Sequence, residues 1–343
     1  MGVDLADLIS KEKTTLEELS GRSIAVDGYN SLYQFLSIIR GPTGEPLMDR
    51  QGRITSHLSG LLYRTTNMAE KGIRLAYVFD GTPPSLKEVE IKRRSKVKEE
   101  ALVRYEEALK RGDLREAKKH AQATSRLKDL MVDDAKKLLD TLGIPWIQAP
   151  SEGEAQAAHI ARKGHVWAAA SQDYDSLLFG APRLVRNLAI SGRRKLPGRP
   201  TYIEVEAEFV ELSKVLSELG ITREQLIDLG ILVGTDYNPD GVKGVGPKTA
   251  LKMLREHGSL DKILPSIQAE FPEDPRKIKQ VFLNPEVSDN YSIEWKEPKI
   301  DEVVQFLCKE RDFSEERVRN AVERMVAGMK EREKKRTLDS FFR

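Results

Sequence analysis

Three short apolar runs in this sequence each end just before an acidic residue, and this pattern constrains the fold more than any other feature. The runs span residues 23–26, 75–79 and 166–170, and they lead to Asp27, Asp80 and Asp173. Such runs are typical of buried strands in a mainly parallel sheet. Amphipathic patterns at 58–70 and 134–142 predict helices between the strands, the second ending at Gly143. We therefore expect an α/β fold whose central sheet is flanked by helices.

Acidic residues recur where these strands would end, which is the edge at which α/β sheets bind ligands. The candidates are Asp27, Asp80, Glu152, Glu154, Asp173, Asp175 and Asp236. Each has an ordinary explanation on its own, such as a turn after a strand, or a capping box in which Ser151 caps a helix and Glu154 bonds back. Together they would repel one another unless cations neutralised them. Oxygen ligands without His or Cys predict Mg²⁺ or Mn²⁺, and two such ions about 4 Å apart can hydrolyse a phosphodiester.

The stretch from residue 87 to residue 128 is polar and helix-prone, with fourteen Lys or Arg against eight Asp or Glu. A solvated helical hairpin with ion pairs four residues apart would explain it. A basic wall beside a nucleic-acid backbone would also explain it. The run Lys92-Arg93-Arg94 follows one of the strands that end in an acid, which favours the second interpretation. The net charge of the whole chain, only +2, predicts no partner by itself.

A glycine-rich turn spans residues 241–250 and precedes an amphipathic run. Its glycines allow positive φ, so successive N–H groups could surround an anion, and Pro247 suits the first turn of a helix. A phosphate there would gain hydrogen bonds and the helix dipole. The turn is not a Walker loop, because Pro247 stands where that motif requires Lys. We interpret it as a helix-hairpin-helix turn that grips a DNA backbone, with a tight interhelical loop as the alternative.

The remaining segments predict less about chemistry. Residues 184–205 resemble a hairpin with Arg193-Arg194-Lys195 at its turn, and the segment from Lys330 onward, which is charged and then apolar, predicts a flexible tail. The single cysteine, Cys308, excludes an intrachain disulfide, and no run approaches the roughly 20 apolar residues of a membrane span. We expect a soluble intracellular protein.

Motifs spread along nearly the whole chain carry a resemblance to a known family. They are Ala25-Val26-Asp27-Gly28, Thr55-Ser56-His57-Leu58-Ser59-Gly60, Tyr77-Val78-Phe79-Asp80-Gly81, Pro150-Ser151-Glu152-Gly153-Glu154-Ala155, Ser171-Gln172-Asp173-Tyr174-Asp175, Gly234-Thr235-Asp236-Tyr237 and Phe313-Ser314-Glu315-Glu316-Arg317-Val318. On these motifs the sequence resembles the flap endonuclease family, the archaeal and eukaryotic group within the 5′ nucleases. The resemblance implies a PIN-like nuclease core, a helical arch over the active site and a helix-hairpin-helix element.

The resemblance also implies how the chain is divided. We expect one nuclease core over residues 1–330, followed by a clamp-binding tail at 331–343. Within the core, the N-terminal nuclease region would cover about 1–98, the internal region about 116–258, the arch about 82–130 and the helix-hairpin-helix about 222–258.

The activity that the resemblance implies is structure-specific cutting of branched DNA at the base of 5′ flaps, with 5′–3′ exonuclease activity, in Okazaki fragment maturation and repair. All seven acids match the family's metal-binding positions, which implies two Mg²⁺ ions, with Mn²⁺ as a substitute. Among them, Asp80 and Glu154 would serve the chemistry directly. Lys87 and Arg94 match basic residues that contact the scissile phosphate from the base of the arch.

Substrate contacts are implied at further positions. Tyr33 matches an aromatic residue that stacks on a base near the cut, although a core aromatic on a helix is an equal alternative. The other matches are looser and comprise Arg40, Thr55 and Arg64, with Lys243, Gly244, Gly246 and Lys248 in the glycine turn.

The tail resembles a peptide that binds a sliding clamp of the proliferating cell nuclear antigen type. In that resemblance Leu338, Phe341 and Phe342 form a short helical plug, while Lys335 stands where the motif usually has Gln. We expect a monomer that binds no membrane and works in an archaeal cytoplasm near the nucleoid, or in the nucleus if the source is eukaryotic.

Two alternatives remain open. A related 5′ nuclease could act on bubbles, junctions or duplex ends, although such relatives usually carry long inserts or extensions that this chain lacks. A clamp-associated adaptor could hold branched DNA without cutting it, although seven intact acids argue against that role.

Overall fold

The apolar runs that end in acids form neighbouring strands at the centre of one sheet. The computed structural model describes residues 2–41, 43–121, 124, 127–190, 192–195, 202–267 and 271–341. Its strands are β1 (Glu12–Thr14), β2 (Ser23–Asp27), β3 (Arg74–Phe79), β4 (Trp146–Gln148), β5 (Ala168–Ala170), β6 (Arg183–Arg186), β7 (Gly192–Lys195), β8 (Tyr202–Val205) and β9 (Ala207–Glu211). The order across the sheet is β1-β9-β6-β5-β2-β3-β4. Strands β2 to β6 are parallel, and β9 runs antiparallel to both β6 and β1.

Helices cover both faces of this sheet, so the expected α/β fold is confirmed. They are α1 (Gly28–Ile38), α2 (Ser56–Glu70), α3 (Glu88–Lys110), α4 (Leu114–Ala121), α5 (Asp129–Leu142), α6 (Gly153–Arg162), α7 (Asp175–Leu178), α8 (Leu212–Leu219), α9 (Arg223–Val233), α10 (Pro247–His257), α11 (Leu260–Ile263), α12 (Pro275–Leu283), α13 (Ile300–Val304) and α14 (Glu315–Phe341). None of the described helices is long and apolar enough to cross a membrane.

Alternate residues of the central strands face two different cores, as the pleat of a strand requires. In β2, Ala25 packs into the core shared with α6 and α9, whereas Ile24 and Val26 pack into the core shared with α2 and α5. All three side chains are buried. Because both faces are covered, β2 is apolar throughout until Asp27, which explains the pattern seen in the sequence.

Local signals account for where several helices begin and end. Thr222 and Gln225 form a capping box at the start of α9, and Pro247 occupies the first turn of α10. Helix α5 ends at Gly143, whose φ of 69° is the left-handed conformation that glycine adopts readily, so the predicted stop is confirmed.

Helices α3 and α4 pack mainly against each other, within the range expected for the arch; we call them the arch helices. They expose apolar side chains, with Val97 and Val103 more than half accessible, at 55% and 54%. An element that buries so little of its apolar surface gains little stability from the core.

Two local predictions were wrong. The sequence predicts one hairpin over 184–205, but β6 joins the central sheet, because Leu184 and Val185 are buried there, and only β7 and β8 form a hairpin. Arg193-Arg194-Lys195 lies within β7 rather than at the turn, and the connecting residues 196–201 are outside the described residues.

The sequence also predicts a flexible tail after Lys330, whereas the backbone continues α14 as a helix to Phe341. The Glu, Lys and Arg residues of this segment are good helix formers, which accounts for the difference. Phe342 lies outside the described residues, as do the side chains of Leu338 and Phe341.

Candidate active site

The carboxyl ends of four adjacent strands, β5, β2, β3 and β4, bring acidic residues to one edge of the sheet. Asp27 is the last residue of β2, Asp80 follows β3, and pairs of acids follow β4 and β5 at the starts of α6 and α7. Asp236 comes from the loop after α9. We call this set the carboxylate pocket: Asp27, Asp80, Glu152, Glu154, Asp173, Asp175 and Asp236.

Backbone amides hold three of these carboxylates in place. Asp27 caps α1 by accepting from the Asn30 amide at 2.9 Å, and Asp175 accepts from the Val3 amide at 2.8 Å. Asp80 accepts from the Gly153 amide at 2.6 Å, which ties the end of β3 to the start of α6. A Cβ atom at position 153 would lie 2.8 Å from the Asp80 carboxylate, so this approach requires glycine.

The capping box suggested by the sequence does not form. Glu152, not Ser151, is the N-cap residue of α6, and its side chain makes no capping hydrogen bond. Glu154 instead accepts a hydrogen bond from the Ser171 hydroxyl in the loop after β5. Glu152 and Glu154 both face the pocket rather than the backbone of α6, so helix capping does not explain these two acids.

Arg186, at the end of β6, fixes the loop that carries Asp173 and Asp175. Its guanidinium donates to the Gln172 carbonyl at 2.9 Å and to the Tyr174 hydroxyl at 2.6 Å, residues that alternate with the two acids. A further bond to Glu208 at 2.7 Å anchors the guanidinium itself. Sequence reasoning missed Arg186, whose one signal was its position at the end of the strand beside β5.

The carboxylates of the pocket repel one another. Burial, followed by repulsion from Asp80, raises the pKa of Asp27 from 3.8 to about 8. Burial and then Asp236 raise the pKa of Asp175 to about 7. The pKa values of Asp80 and Glu154 are raised as well, chiefly by burial. Such a set carries more negative charge than its surroundings stabilise, which favours cation binding.

Two cations from the base of the arch reach into the pocket. Lys87 contacts Glu152 and lies 3.0 Å from Asp236, while Arg94 bonds Asp236 and, at 2.8 Å, Glu90. Burial alone would lower the pKa of Lys87, but attraction by Glu152 and Asp236 raises it above its ordinary value. Burial would likewise raise the pKa of Asp236, yet Lys87 and Arg94 bring it below the usual range. Both cations that the sequence singled out therefore lie at the site.

The donor chemistry of the pocket suits hard divalent ions. Within the described residues, no three of these acids already surround a common point as ligands of one ion would. Lys87 and Arg94 instead engage oxygens of Glu152 and Asp236. All seven donors are carboxylates, and their mutual repulsion is what a bound divalent ion would relieve, so the residues fit Mg²⁺ or Mn²⁺.

Tyr237 is a further member of the site that sequence reasoning missed, although it directly follows Asp236. Its hydroxyl donates a hydrogen bond to Glu152. Burial, then Glu152, raises the pKa of Tyr237 far above its ordinary value, so the hydroxyl stays protonated and remains a donor. The turn that presents Asp236 and Tyr237 is closed by a hydrogen bond of 2.7 Å from the Thr235 hydroxyl to Asn238.

The expected DNA contacts fall in different places. Tyr33 lies on α1, the helix that Asp27 caps, and Lys98 of the arch sits 4.3 Å from its ring centroid. Arg40 donates to the Gly44 carbonyl at 2.8 Å and so braces the loop that follows α1. Thr55 is buried and Arg64 half-buried.

The glycine-rich turn connects α9 to α10, a short distance along the chain from Asp236. Gly241 and Gly244 have positive φ, at 54° and 82°, as expected, whereas Gly246 is the N-cap of α10 with φ of −89°. Four of the expected contacts are exposed on this turn: Lys243, Gly244, Gly246 and Lys248. The first N–H groups of α10 lack partners within the helix by geometry, so this end can accept an anion.

Comparison with known proteins gives a consistent result. Residues 1–101 match the XPG N-terminal domain and residues 143–236 match the XPG I-region. Flap endonuclease 1 of Staphylothermus marinus is 58% identical, with 98% of each chain covered. The solved structure of flap endonuclease-1 from Methanococcus jannaschii superposes with a TM-score of 0.76 at 42% identity, covering 96% of this chain and 100% of that one. The catalytic core of Rad2 in complex with DNA substrate shares the fold, with a TM-score of 0.69 at 24% identity over 95% and 100% of the two chains.

Proposed function

The chain belongs to the flap endonuclease family, and from that premise we propose that it hydrolyses the phosphodiester at the base of 5′ flaps in its carboxylate pocket. It is a structure-specific DNA endonuclease of a family that uses divalent metals. We propose Mg²⁺ as the native ion, two per site, with Mn²⁺ able to replace it, and we include 5′–3′ exonuclease cutting in replication and repair.

One observation carries this proposal: acids from several chain segments converge at the edge of the sheet, and two cations reach them from the arch. All seven acids of the pocket would hold the metal, with Asp80 and Glu154 closest to the chemistry. When bound, the ions would supply a water activated for in-line attack and stabilise the leaving oxygen.

The chain's own cations would position the scissile phosphate. Lys87 contacts Glu152 and Asp236, and Arg94 contacts Asp236; both acids are proposed metal ligands. Released from these acids, both cations would contact the phosphate and stabilise the charge that develops on it. Arg94 keeps a second partner, Glu90, which would hold it near the pocket throughout.

Duplex binding would be divided among several surfaces. The exposed turn with Lys243, Gly244, Gly246 and Lys248 would hold a backbone phosphate away from the cut without reading bases. Tyr33 would stack on a base near the cut once Lys98 moves from its ring. Arg40, Thr55 and Arg64 are further candidates, of which Thr55 is buried.

We propose a single nuclease core over residues 1–330 and a clamp-binding segment at 331–343, in a monomer. The apolar residues Leu338, Phe341 and Phe342 follow a run too charged to pack onto a core, so a partner surface would bury them. We propose that the protein works in an archaeal cytoplasm near the nucleoid, or in the nucleus if the source is eukaryotic; the archaeal flap endonucleases at 53–58% identity support the first. Calorimetric titration of a sliding clamp with the full chain and with a chain ending at Lys335 tests the segment, and equal affinity would refute it.

The central experiment compares cutting of end-labelled flap, nicked, bubble and Holliday-junction DNA. We expect the 5′ flap to be cut fastest with Mg²⁺ or Mn²⁺, and no cutting in a chelator. Equal rates on bubbles or junctions would point to a related 5′ nuclease, and binding to flaps without any cutting would point to an adaptor.

A further inference from the structure

We infer that Tyr237 is a positioning residue: its hydroxyl holds the carboxylate of Glu152 in the orientation that metal binding requires. The inference rests on the proposed function, in which Glu152 is a metal ligand. The Tyr237 hydroxyl donates to Oε2 of Glu152, while Lys87 contacts the other oxygen, Oε1. Both carboxylate oxygens therefore have a hydrogen-bond partner, one a lysine ammonium group and the other a tyrosine hydroxyl.

Tyr237 is fixed in place, because its ring is locked by aromatic packing. The residue is 3% exposed, and its ring meets Phe282 edge-on at 5.5 Å between centroids. Phe282 in turn packs against Phe179 at 4.9 Å, and both are buried. The Tyr237 amide also bonds the Thr235 hydroxyl at 3.2 Å. Because this packing already fixes the Tyr237 side chain, its hydrogen bond to a carboxylate costs little additional conformational entropy.

Glu152 lines a cavity, so its side chain has space into which it could turn. Glu152 and Tyr237 both line a cavity of about 180 Å³ whose other walls include Ala155, Val281 and Pro285. A side chain at the wall of a cavity has few van der Waals contacts on that side and can turn into the space. The hydrogen bond from Tyr237 opposes this rotation at Oε2, as the contact with Lys87 does at Oε1.

The second partner of Glu152 is lost during the proposed reaction. Lys87 would leave Oε1 when it contacts the scissile phosphate, and this removes one restraint at the moment when the ligand geometry matters. Tyr237 is too deeply buried to reach the substrate, so its bond to Glu152 can persist throughout. Removal of a residue that hydrogen-bonds to a metal ligand typically lowers metal affinity or activity about 10- to 100-fold.

The test is Tyr237→Phe, which keeps the ring against Phe282 and deletes only the hydroxyl. A matched control is Tyr77→Phe: Tyr77 is also buried, at 1% exposure, and its hydroxyl bonds Thr65 at 2.8 Å in the core. Calorimetric titration with Mn²⁺ in the absence of DNA should show affinity about tenfold weaker in Tyr237→Phe and unchanged in Tyr77→Phe. Single-turnover flap cutting should fall by a similar factor at low Mn²⁺ and recover in part at high Mn²⁺.

A double-mutant cycle separates positioning from packing. In a Glu152→Ala background, Tyr237→Phe should cause no further loss of Mn²⁺ affinity, because the tyrosine acts through Glu152. The inference is overturned by parental Mn²⁺ affinity in Tyr237→Phe, by an undiminished loss in the Glu152→Ala background, or by a lower melting temperature without any change in metal affinity. A parent protein that neither binds Mn²⁺ nor cuts flaps would instead refute the proposed function, so the two failures are distinguishable.

Discussion

The carboxylate pocket and the arch helices differ in where their charged side chains lie, buried in the pocket and exposed to solvent on the arch. Asp27 and Asp175 are 7% and 4% exposed, and burial, followed by repulsion from other acids of the pocket, raises the pKa of each. On the arch, Lys92 and Glu88 form an ion pair of 3.6 Å with both side chains mostly in solvent. Surface pairs of this kind contribute little to stability. The buried charges of the pocket therefore lower the stability of the fold, whereas the exposed charges of the arch hardly change it.

This difference arises from how far each region packs against the hydrophobic cores. Asp27, Asp80 and Asp173 follow β2, β3 and β5, whose residues pack into cores on both faces of the sheet, so the core fixes where these strand ends lie. The arch exposes Val97 and Val103 and contributes few side chains to either core. In the part of the chain that the structure describes, Lys87 and Arg94, at the base of the arch, form ion pairs with acids of the pocket. We therefore expect substitutions in the pocket to change chemistry and metal-free stability, and most arch substitutions to change neither.

The largest effect should come from Asp173→Ala, which removes a proposed metal ligand. We expect flap cutting to fall by at least about 10³-fold, or roughly 4 kcal/mol of barrier. Flap binding should stay nearly unchanged, because the proposed duplex contacts lie on the glycine turn and the arch. Single-turnover rates and binding isotherms on one substrate measure the two quantities. Cutting within about tenfold of the parent would show that Asp173 is not a ligand.

Arg94→Ala tests whether the arch joins the chemistry at its base. Arg94 would stabilise charge on the phosphate, and loss of one such group typically costs about 10²- to 10³-fold in rate. The matched control is Lys92→Ala, two residues away, whose side chain is 80% exposed and faces Glu88. Its rate should stay within about twofold of the parent. Equal losses in both variants would mean that the whole basic face of α3 acts as an electrostatic surface and that Arg94 has no special role.

The two regions also differ in how far the sequence predicts them. The acids at the strand ends were predictable because apolar runs indicate buried parallel strands, whose carboxyl ends meet at one edge. Arg186 and Tyr237 were not, since their roles depend on contacts with loops that sequence spacing does not reveal. Tyr237 and Glu152 are 85 positions apart, and although both lie in motifs quoted above, the motifs do not predict that the two residues are in contact.

Errors arose where one pattern fits two structures. Leu184 and Val185 form an apolar pair that suits either a hairpin or a strand of the central sheet, and burial between β5 and β9 decided for the sheet. The Ser151 to Glu154 spacing fits a capping box, but Glu154 bonds Ser171, which the loop after β5 brings close. In both cases tertiary contacts overrode a correct local propensity.

The double substitution of Lys243 and Lys248 by Ala tests whether flap binding and flap cutting depend on different regions of the molecule. Both are exposed on the glycine turn, so the double Ala variant should bind flaps about tenfold more weakly, and its binding should depend less steeply on salt by about two phosphate contacts. Maximal cutting at saturating enzyme should stay near the parental rate. An unchanged salt slope would exclude the turn as a phosphate site.

The smallest expected effect is a gain in folding stability from Asp27→Asn, measured in a chelator so that no metal is bound. It is also the most direct test of the difference between the carboxylate pocket and the arch helices. Asn keeps an oxygen that can accept from the Asn30 amide and cap α1, but it removes one charge from the pocket. Because the folded pKa of Asp27 is raised to about 8 from 3.8, the folded protein binds this proton more tightly than the unfolded chain does. The parent therefore loses stability as pH rises from about 4 to about 8, and Asn abolishes that loss.

We expect Asp27→Asn to raise the free energy of unfolding by about 1 kcal/mol at pH 8.5 and by much less at pH 5, because relaxation and water entry reduce the ideal value. The control is Asp113→Asn on the arch, where an exposed acid likewise caps a helix, accepting from the Glu116 amide at 3.0 Å. It should leave the melting temperature unchanged at both pH values. Saturating Mg²⁺ should cancel or reverse the Asp27→Asn gain, since the parent pocket then binds its counterions. Equal melting behaviour of Asp27→Asn and the parent at pH 8.5 in chelator would mean that the pocket relieves its repulsion without metal, and the contrast between pocket and arch would fail.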